Sequence, residues 1–238
     1  MVASKNTTTS ENVVADLQQR IRTLERGATR SELQVESTGS SALDSLFPVH
    51  GIRHGSLVEW IGEQDGSGAG TLALLTAWHI CKQAGRLIVV DAERHVSAQS
   101  LASLGCDLSR VVFVRPQNQQ EVMWACEESL RCSGGQVLWA DIENLSDTSF
   151  RRLQLACESS GRIGFLVRPK SALRQPAWAD ARLLVGPRVT GAESPGFRAR
   201  TVYCRGETTG KEIEIVIDRR DGTIHEFSKS SNPVPVVS

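Results

Sequence analysis

The chain has 238 residues, with 27 Lys plus Arg balanced by 27 Asp plus Glu. That length suffices for one large α/β domain whose core needs no staple, and zero net charge excludes a global polyanion binder and an acidic tail protein. The balance is uneven, however: Glu59 to Phe150 holds 6 basic and 12 acidic residues, whereas Arg151 to Arg205 holds 11 basic and 3 acidic. A solvated surface and a basic contact face both fit that split.

Six cysteines (Cys81, Cys106, Cys126, Cys132, Cys157 and Cys204) are scattered, with no C-x-x-C pair and no His at ligand spacing. Free, mostly buried thiols in a reducing cytosol are expected, and no metal. The start, Met1 to Lys5, lacks the apolar core of a signal, and no apolar run is long enough to span a membrane.

Residues 1–37 read as a tail, a helix and a linker. Ser10 can cap a helix that ends at Arg26 before Gly27. Val14, Leu17, Ile21 and Leu24 form a narrow apolar seam at 3-4-3 spacing. Two heptads are too few for an independent coiled coil, so the seam packs on its own domain or on another protein. The polar stretch Ala28 to Thr38 favours an arm that docks elsewhere.

After a short helix at Ala42 to Leu46, the chain alternates between apolar strands and helices. Strands are expected at Leu57–Ile61, Arg86–Asp91, Val111–Arg115, Gln136–Ala140 and Ile163–Val167. Helices are expected from Thr71 and at Val96–Leu104, Gln119–Cys132 and Thr148–Ser160. This alternation predicts an α/β fold: a mostly parallel sheet with helices on both faces. Ala181–Val185, Ala199–Cys204 and Glu212–Asp218 have no helix between them and read as C-terminal antiparallel strands. The body is therefore read as residues 38–227, followed by a loose tail at 228–238.

The first strand runs into a glycine-rich turn, with Gly62, Gly66, Ser67, Gly68, Gly70 and Thr71 at its bends and at the head of the next helix. Strand, glycine loop and helix are the shape of a phosphate-binding loop, whose backbone N–H groups face an anion. A working loop needs G-x-x-x-x-G-K-[ST]. Here the chain reads Gly68-Ala69-Gly70-Thr71, without the Lys and without the hydroxyl directly after it. Weak binding of ATP or another anion through N–H groups stays open, but no resident cofactor is expected. Further on, Asp91 and Glu93 follow the second strand and Asp141 ends the fourth. Carboxylates at strand ends face the ligand crevice of a parallel sheet. Glu93 could orient a water and Asp141 could stand near Mg²⁺, and each could equally be a turn or cap residue.

Thr38-Gly39 with Ala42-Leu43-Asp44, Gly51 to Glu59, Val90-Asp91-Ala92-Glu93, Leu104 to Leu108 and the strand to Asp141 resemble the RecA recombinase core in order and spacing. The resemblance runs from about Thr38 to Gly186. It implies that the family's catalytic Lys has become Ala69, its Mg²⁺-binding hydroxyl Gly70, its adenine-stacking aromatic Ser100 and an adenine-contacting Asp Ser97. The γ-phosphate-sensing Gln has become Arg168, and the water-activating glutamate is kept as Glu93. The loop also has one residue more between Gly62 and Gly68. Losing one well-placed charge donor costs roughly 3–4 kcal/mol of transition-state stabilisation, so several losses together predict no ATP hydrolysis. Both of the family's DNA loops look reduced here: the first is short, and the second gap holds only Pro169 to Trp178. Its Lys170, Arg174 and Trp178 suit contact with single-stranded DNA or a partner, or simply a basic loop around a packed Trp.

With its N-terminal helix and degraded nucleotide motifs, the chain is similar to the ImuA family, RecA-like accessories of the bacterial mutasome. That resemblance implies a non-catalytic adaptor in SOS-induced translesion DNA synthesis, cytoplasmic and nucleoid-associated. Its implied partners are an ImuB-type protein and an error-prone DnaE-type polymerase, with RecA or self-association as further contacts. Two other readings remain open on the residues. One is a divergent DNA-dependent ATPase or recombination mediator whose missing Lys comes from Lys82 or a neighbouring subunit. The other is a RecA-like structural module of an unrelated assembly.

Overall fold

A computed structural model describes residues 34–82, 85–188, 195–206 and 209–227. The predicted docking helix with Val14, Leu17, Ile21 and Leu24, and the tail 228–238, lie outside the described residues. A two-stranded hairpin, β1 (Val35–Glu36) and β2 (Ile52–Arg53), encloses the short helix α1 (Ser41–Asp44). The central unit follows: β3 (Leu57–Gly62), α2 (Ala69–Cys81), β4 (Leu87–Val90), α3 (Ala98–Ser103) and β5 (Val111–Val114). Next come α4 (Gln119–Arg131), β6 (Val137–Asp141), α5 (Asp147–Ser160) and β7 (Ile163–Arg168). The chain ends in β8 (Ala181–Arg188), β9 (Gly196–Cys204), β10 (Glu212–Ile217) and β11 (Ile224–Glu226).

Among the described residues, nine strands form one sheet in the order β11-β10-β9-β8-β3-β7-β6-β4-β5. β3 lies in its middle and is buried at all six positions. Val58 and Trp60 face the cluster around α2, and Leu57 faces the cluster under α4 and α5. Helix α2 is mostly apolar and buried almost all round, with Thr71 and His79 exposed. α4 and α5 bury one stripe each and are opened by Asn118 and Ser146, whose side chains accept the N–H groups of Glu121 and Ser149. Strands β10 and β11 pack on α1, and Ile215, Ile217 and Ile224 belong to the same buried cluster as α2.

Two expectations are corrected. Val35–Glu36, read as linker, pairs with Ile52–Arg53, and His54 Nε2 lies 2.8 Å from Glu36 Oε1, so the folded body begins before Thr38. Ala181–Val185, read as the first antiparallel strand, runs parallel to β3, and the reversal begins at β9. The physical reason is the connection at 169–180, which is long enough to carry the chain back across the sheet with a 3-10 turn, Lys170–Arg174, in place of an α-helix. Among the described residues, no helix is long and apolar enough to cross a membrane.

Candidate functional site

The C-terminal ends of β3, β4, β6 and β7 open into a cleft of about 1070 Å³. Its wall is the loop after β3, and Gly62, Gly66, Ser67, Gly68, Gly70 and Thr71 all line it, as the sequence predicts. The loop is held from both directions. Inside it, Ser67 N–H donates to Gln64 O at 3.1 Å, and Ser67 Oγ accepts Ala69 N–H at 3.4 Å. On its outer side, Glu63 N–H donates to Val185 O at 2.8 Å, and the Glu63 carboxylate pairs with Arg198 Nη2 of β9 at 3.2 Å. Gly68 caps α2 at φ 85°, in the left-handed region, with the Phe197 ring packed against it.

At the head of α2, where a phosphate loop presents an ammonium and a hydroxyl, this chain presents the methyl of Ala69 and the bare Cα of Gly70. Ala69 is 3% exposed. Trp139 Nε1 of β6 donates to Gly70 O at 3.2 Å, so the indole packs under the first turn of the helix. Lys82, the residue considered as a substitute, follows the last turn of α2. It is about 20 Å from the loop at 1.5 Å per residue, so it does not reach the cleft.

The strand-end carboxylates divide into two roles. Asp91 is fully buried and accepts the N–H groups of His95 at 3.0 Å and Val96 at 2.9 Å. The chain turns sharply there, with Arg94 at φ 61°, and Asp91 satisfies the backbone donors this turn leaves. Of the two readings of a strand-end carboxylate, crevice or turn, Asp91 takes the turn. Glu93, one turn further out, is exposed and lines the cleft with Asp141. Asp141 Oδ2 lies 3.0 Å from His95 Nδ1. That hydrogen bond holds His95 above the ordinary imidazole range, against partial desolvation, with the charges of Asp141, Asp91 and Glu93 adding to it. His95 is the site residue that sequence reasoning missed. Its only signal was an imidazole shortly after the strand-end Asp91. Ser97 and Ser100, at the adenine positions implied by the resemblance, also line the cleft. Among the described residues, no group of three or more His, Cys, Asp or Glu is placed to hold a metal.

At the end of β7, Arg168 lines the cleft but is 2% exposed and bound to Glu59. Lys170 is exposed at the cleft's edge, and Arg174 is exposed further along the same segment. Trp178 sits at the start of α5 instead, where its Nε1 donates to Asp147 Oδ1 at 2.9 Å and Arg151 stacks 4.5 Å above its ring. The three candidate contact residues are thus strung along one segment, and one face of the Trp is already covered. Much of the basic third is engaged internally as well. Arg152 pairs with Glu127, Arg182 with Glu59, Arg188 with Glu214, Arg198 with Glu63, and Arg205 with Asp180.

The sequence and the fold both have known relatives. Residues 11–142 match the RecA N-terminal domain. Protein ImuA of Caulobacter vibrioides (strain NA1000 / CB15N) is 28% identical over 203 residues, covering 76% of this chain and 83% of that protein. Protein RecA of Streptomyces venezuelae is 33% identical over 95 residues, 40% of this chain and 25% of that one. Among solved structures, the RadB recombinase superposes with a TM-score of 0.64 at 17% identity, covering 81% of this chain and 99% of that one. That likeness, like the strand order, is one of fold.

Proposed function

The chain belongs to the RecA family through its N-terminal domain and is an ImuA-like member of it, and from that premise we propose that it is a non-hydrolysing adaptor in error-prone DNA repair. The ImuA relationship supports a role in the mutagenic response to DNA damage. The finer reading is SOS-induced translesion synthesis in the cytoplasm, at the nucleoid, with an ImuB-type protein and an error-prone DnaE-type polymerase as partners.

The observation that carries the adaptor reading is the head of α2. Ala69 and Gly70 supply neither the ammonium that would neutralise β- and γ-phosphates nor the hydroxyl that would ligate Mg²⁺. Asp141, the remaining residue suited to that ion, has an imidazole on its carboxylate. The cleft keeps the shape that an anion needs, with a helix N-terminus and a glycine loop, so weak phosphate binding is compatible with this role. The test is ATP turnover by the purified chain, with and without single-stranded DNA. Turnover at background is expected. Turnover that disappears in Glu93→Gln would overturn the adaptor reading and favour a divergent ATPase or recombination mediator.

A further inference from the structure

Three charged side chains are buried on the α4–α5 face of the sheet, and one of them, Arg168, also lines the cleft. Glu59, in the middle of β3, is 0% exposed. Its Oε1 lies 3.1 Å from Arg168 Nη1 of β7, and its Oε2 lies 2.6 Å from Arg182 Nε of β8. Because β3 runs between β7 and β8, the three side chains meet across neighbouring strands. Burying such a group is costly, and apolar residues of similar volume would hold the sheet at least as well. The cluster's other contacts indicate what it does. Arg168 Nη2 donates to Gln175 Oε1 at 2.7 Å, and Arg182 Nη2 donates to Ala172 O at 2.5 Å. Both acceptors belong to the segment that joins β7 to β8. That segment has little of its own to hold it: Ala172 N–H donates to Pro169 O and Gln175 N–H to Ala172 O, and Lys170, Ser171, Arg174, Gln175 and Pro176 are exposed. Its far end is fastened by Trp178 to Asp147 and Arg151 of α5.

We infer that Glu59, Arg168 and Arg182 are positioning residues that hold Pro169–Trp178 in one shape independently of the neighbouring cleft, so that the surface carrying Lys170, Arg174 and Trp178 is always presented. Arg168 is the group shared by cleft and segment, and both of its terminal nitrogens are engaged, on Glu59 and on Gln175. An anion entering the cleft would have to strip Arg168 from a buried carboxylate before it could move the segment. The cluster thereby insulates the segment from the cleft. The inference rests on the adaptor reading only for the use made of this surface.

Hydrogen exchange on the full chain, read by mass spectrometry, tests this. In the wild type, peptides covering 169–178 should exchange at the same rate with and without ATP and magnesium as the probe. Glu59→Gln should speed exchange across 169–178 by about tenfold or more, beyond any change in peptides from β6. Should Glu59→Gln fail to fold, Gln175→Ala decides. It cuts the hold of Arg168 on the segment from an exposed position, and should speed exchange in the same peptides at an unchanged melting temperature. Exchange that rises only in step with β6, or not at all in Gln175→Ala, would overturn the positioning role. Protection of wild-type 169–178 by ATP and magnesium would overturn the insulation. ATP turnover alongside an indifferent segment would remove the adaptor reading and leave the clamp standing.

Discussion

At Gly68 the backbone is at φ 85°, and an added Cβ would come within 2.0 Å of the Phe197 ring. Gly68→Ala is therefore strained by both the backbone and the clash, and should lower stability by roughly 2–4 kcal/mol. Gly66 has φ 70° but open space around it, so Gly66→Ala should cost only about 1–2 kcal/mol. Thermal melting of the two variants checks the difference, and equal losses would mean that Phe197 yields freely. The pairing of His95 with Asp141 makes a prediction in pH. His95 binds its proton more readily in the folded chain, so the stability it contributes is whole below the ordinary imidazole pKa and is lost as pH rises through the raised value. In proton NMR, His95 should titrate above the ordinary imidazole range, and Asp141→Asn should bring it down. An unmoved midpoint in that variant would show that the two side chains do not interact in solution. The thiols are graded by burial. Desolvation pushes Cys81 and Cys126 up to about 12 and Cys106 to about 11, whereas Cys132 is exposed. One thiol per chain should react quickly with an aromatic disulfide reagent, and Cys132→Ser should abolish that fast phase.

Helix α2 illustrates how an element is held at both ends by residues distant in sequence. Its head rests on Trp139, and its tail is closed by Arg110, which donates to the carbonyls of Cys81, Lys82 and Gly85 and lies 5.8 Å over Trp78. Arg110→Ala should cost about 1–3 kcal/mol in thermal or denaturant unfolding, because last-turn carbonyls lose charged donors. A Lys there would restore only part of the loss, since it lacks the planar fork that reaches several acceptors at once. The β7–β8 segment is the element on which nucleic-acid contact turns. Lys170 and Arg174 are exposed and, among the described residues, form no ion pair, unlike most arginines around them. If this segment touches single-stranded DNA, binding should fall steeply with salt, and Lys170→Ala with Arg174→Ala should flatten the logarithmic slope by roughly 1.4. An unchanged slope would place the contact elsewhere.

Across the whole molecule, the acidic first half and the basic last third do not form two opposed faces. Glu59, Glu63 and Glu127 from the first are joined to Arg168, Arg182, Arg198 and Arg152 from the second. Part of the asymmetry read from composition therefore ties the body together. A separate docking surface is offered by the seam of Val14, Leu17, Ile21 and Leu24, ahead of a body that already includes Val35–Glu36. Deleting residues 1–27 should leave circular dichroism and melting close to those of the intact chain, while abolishing self-association or co-purification with an ImuB-type partner. Leu17→Asp with Ile21→Asp should do the same by placing two unpaired charges in the contact. A truncated chain that melts far lower would make the helix part of its own domain, and assembly that survives would remove its docking role.

Local pattern was enough to read the α/β class, the succession of apolar strands and helices, and the glycine loop between β3 and α2, because each rests on periodicity or on turn residues within a short window. The missing Lys at Ala69 and the carboxylates at Glu93 and Asp141 were legible for the same reason. Tertiary structure alone decided the rest. The direction of β8 depends on where a connection without an α-helix carries the chain, and β-propensity at Ala181–Val185 is indifferent to it. His95 meets Asp141 across 46 residues, and Glu59 meets Arg168 and Arg182 across 109 and 123. Strand order brings these groups together, and no spacing within the chain encodes it. The same long-range pairing buries Arg168 on Glu59 and makes internal ion pairs of much of the basic third.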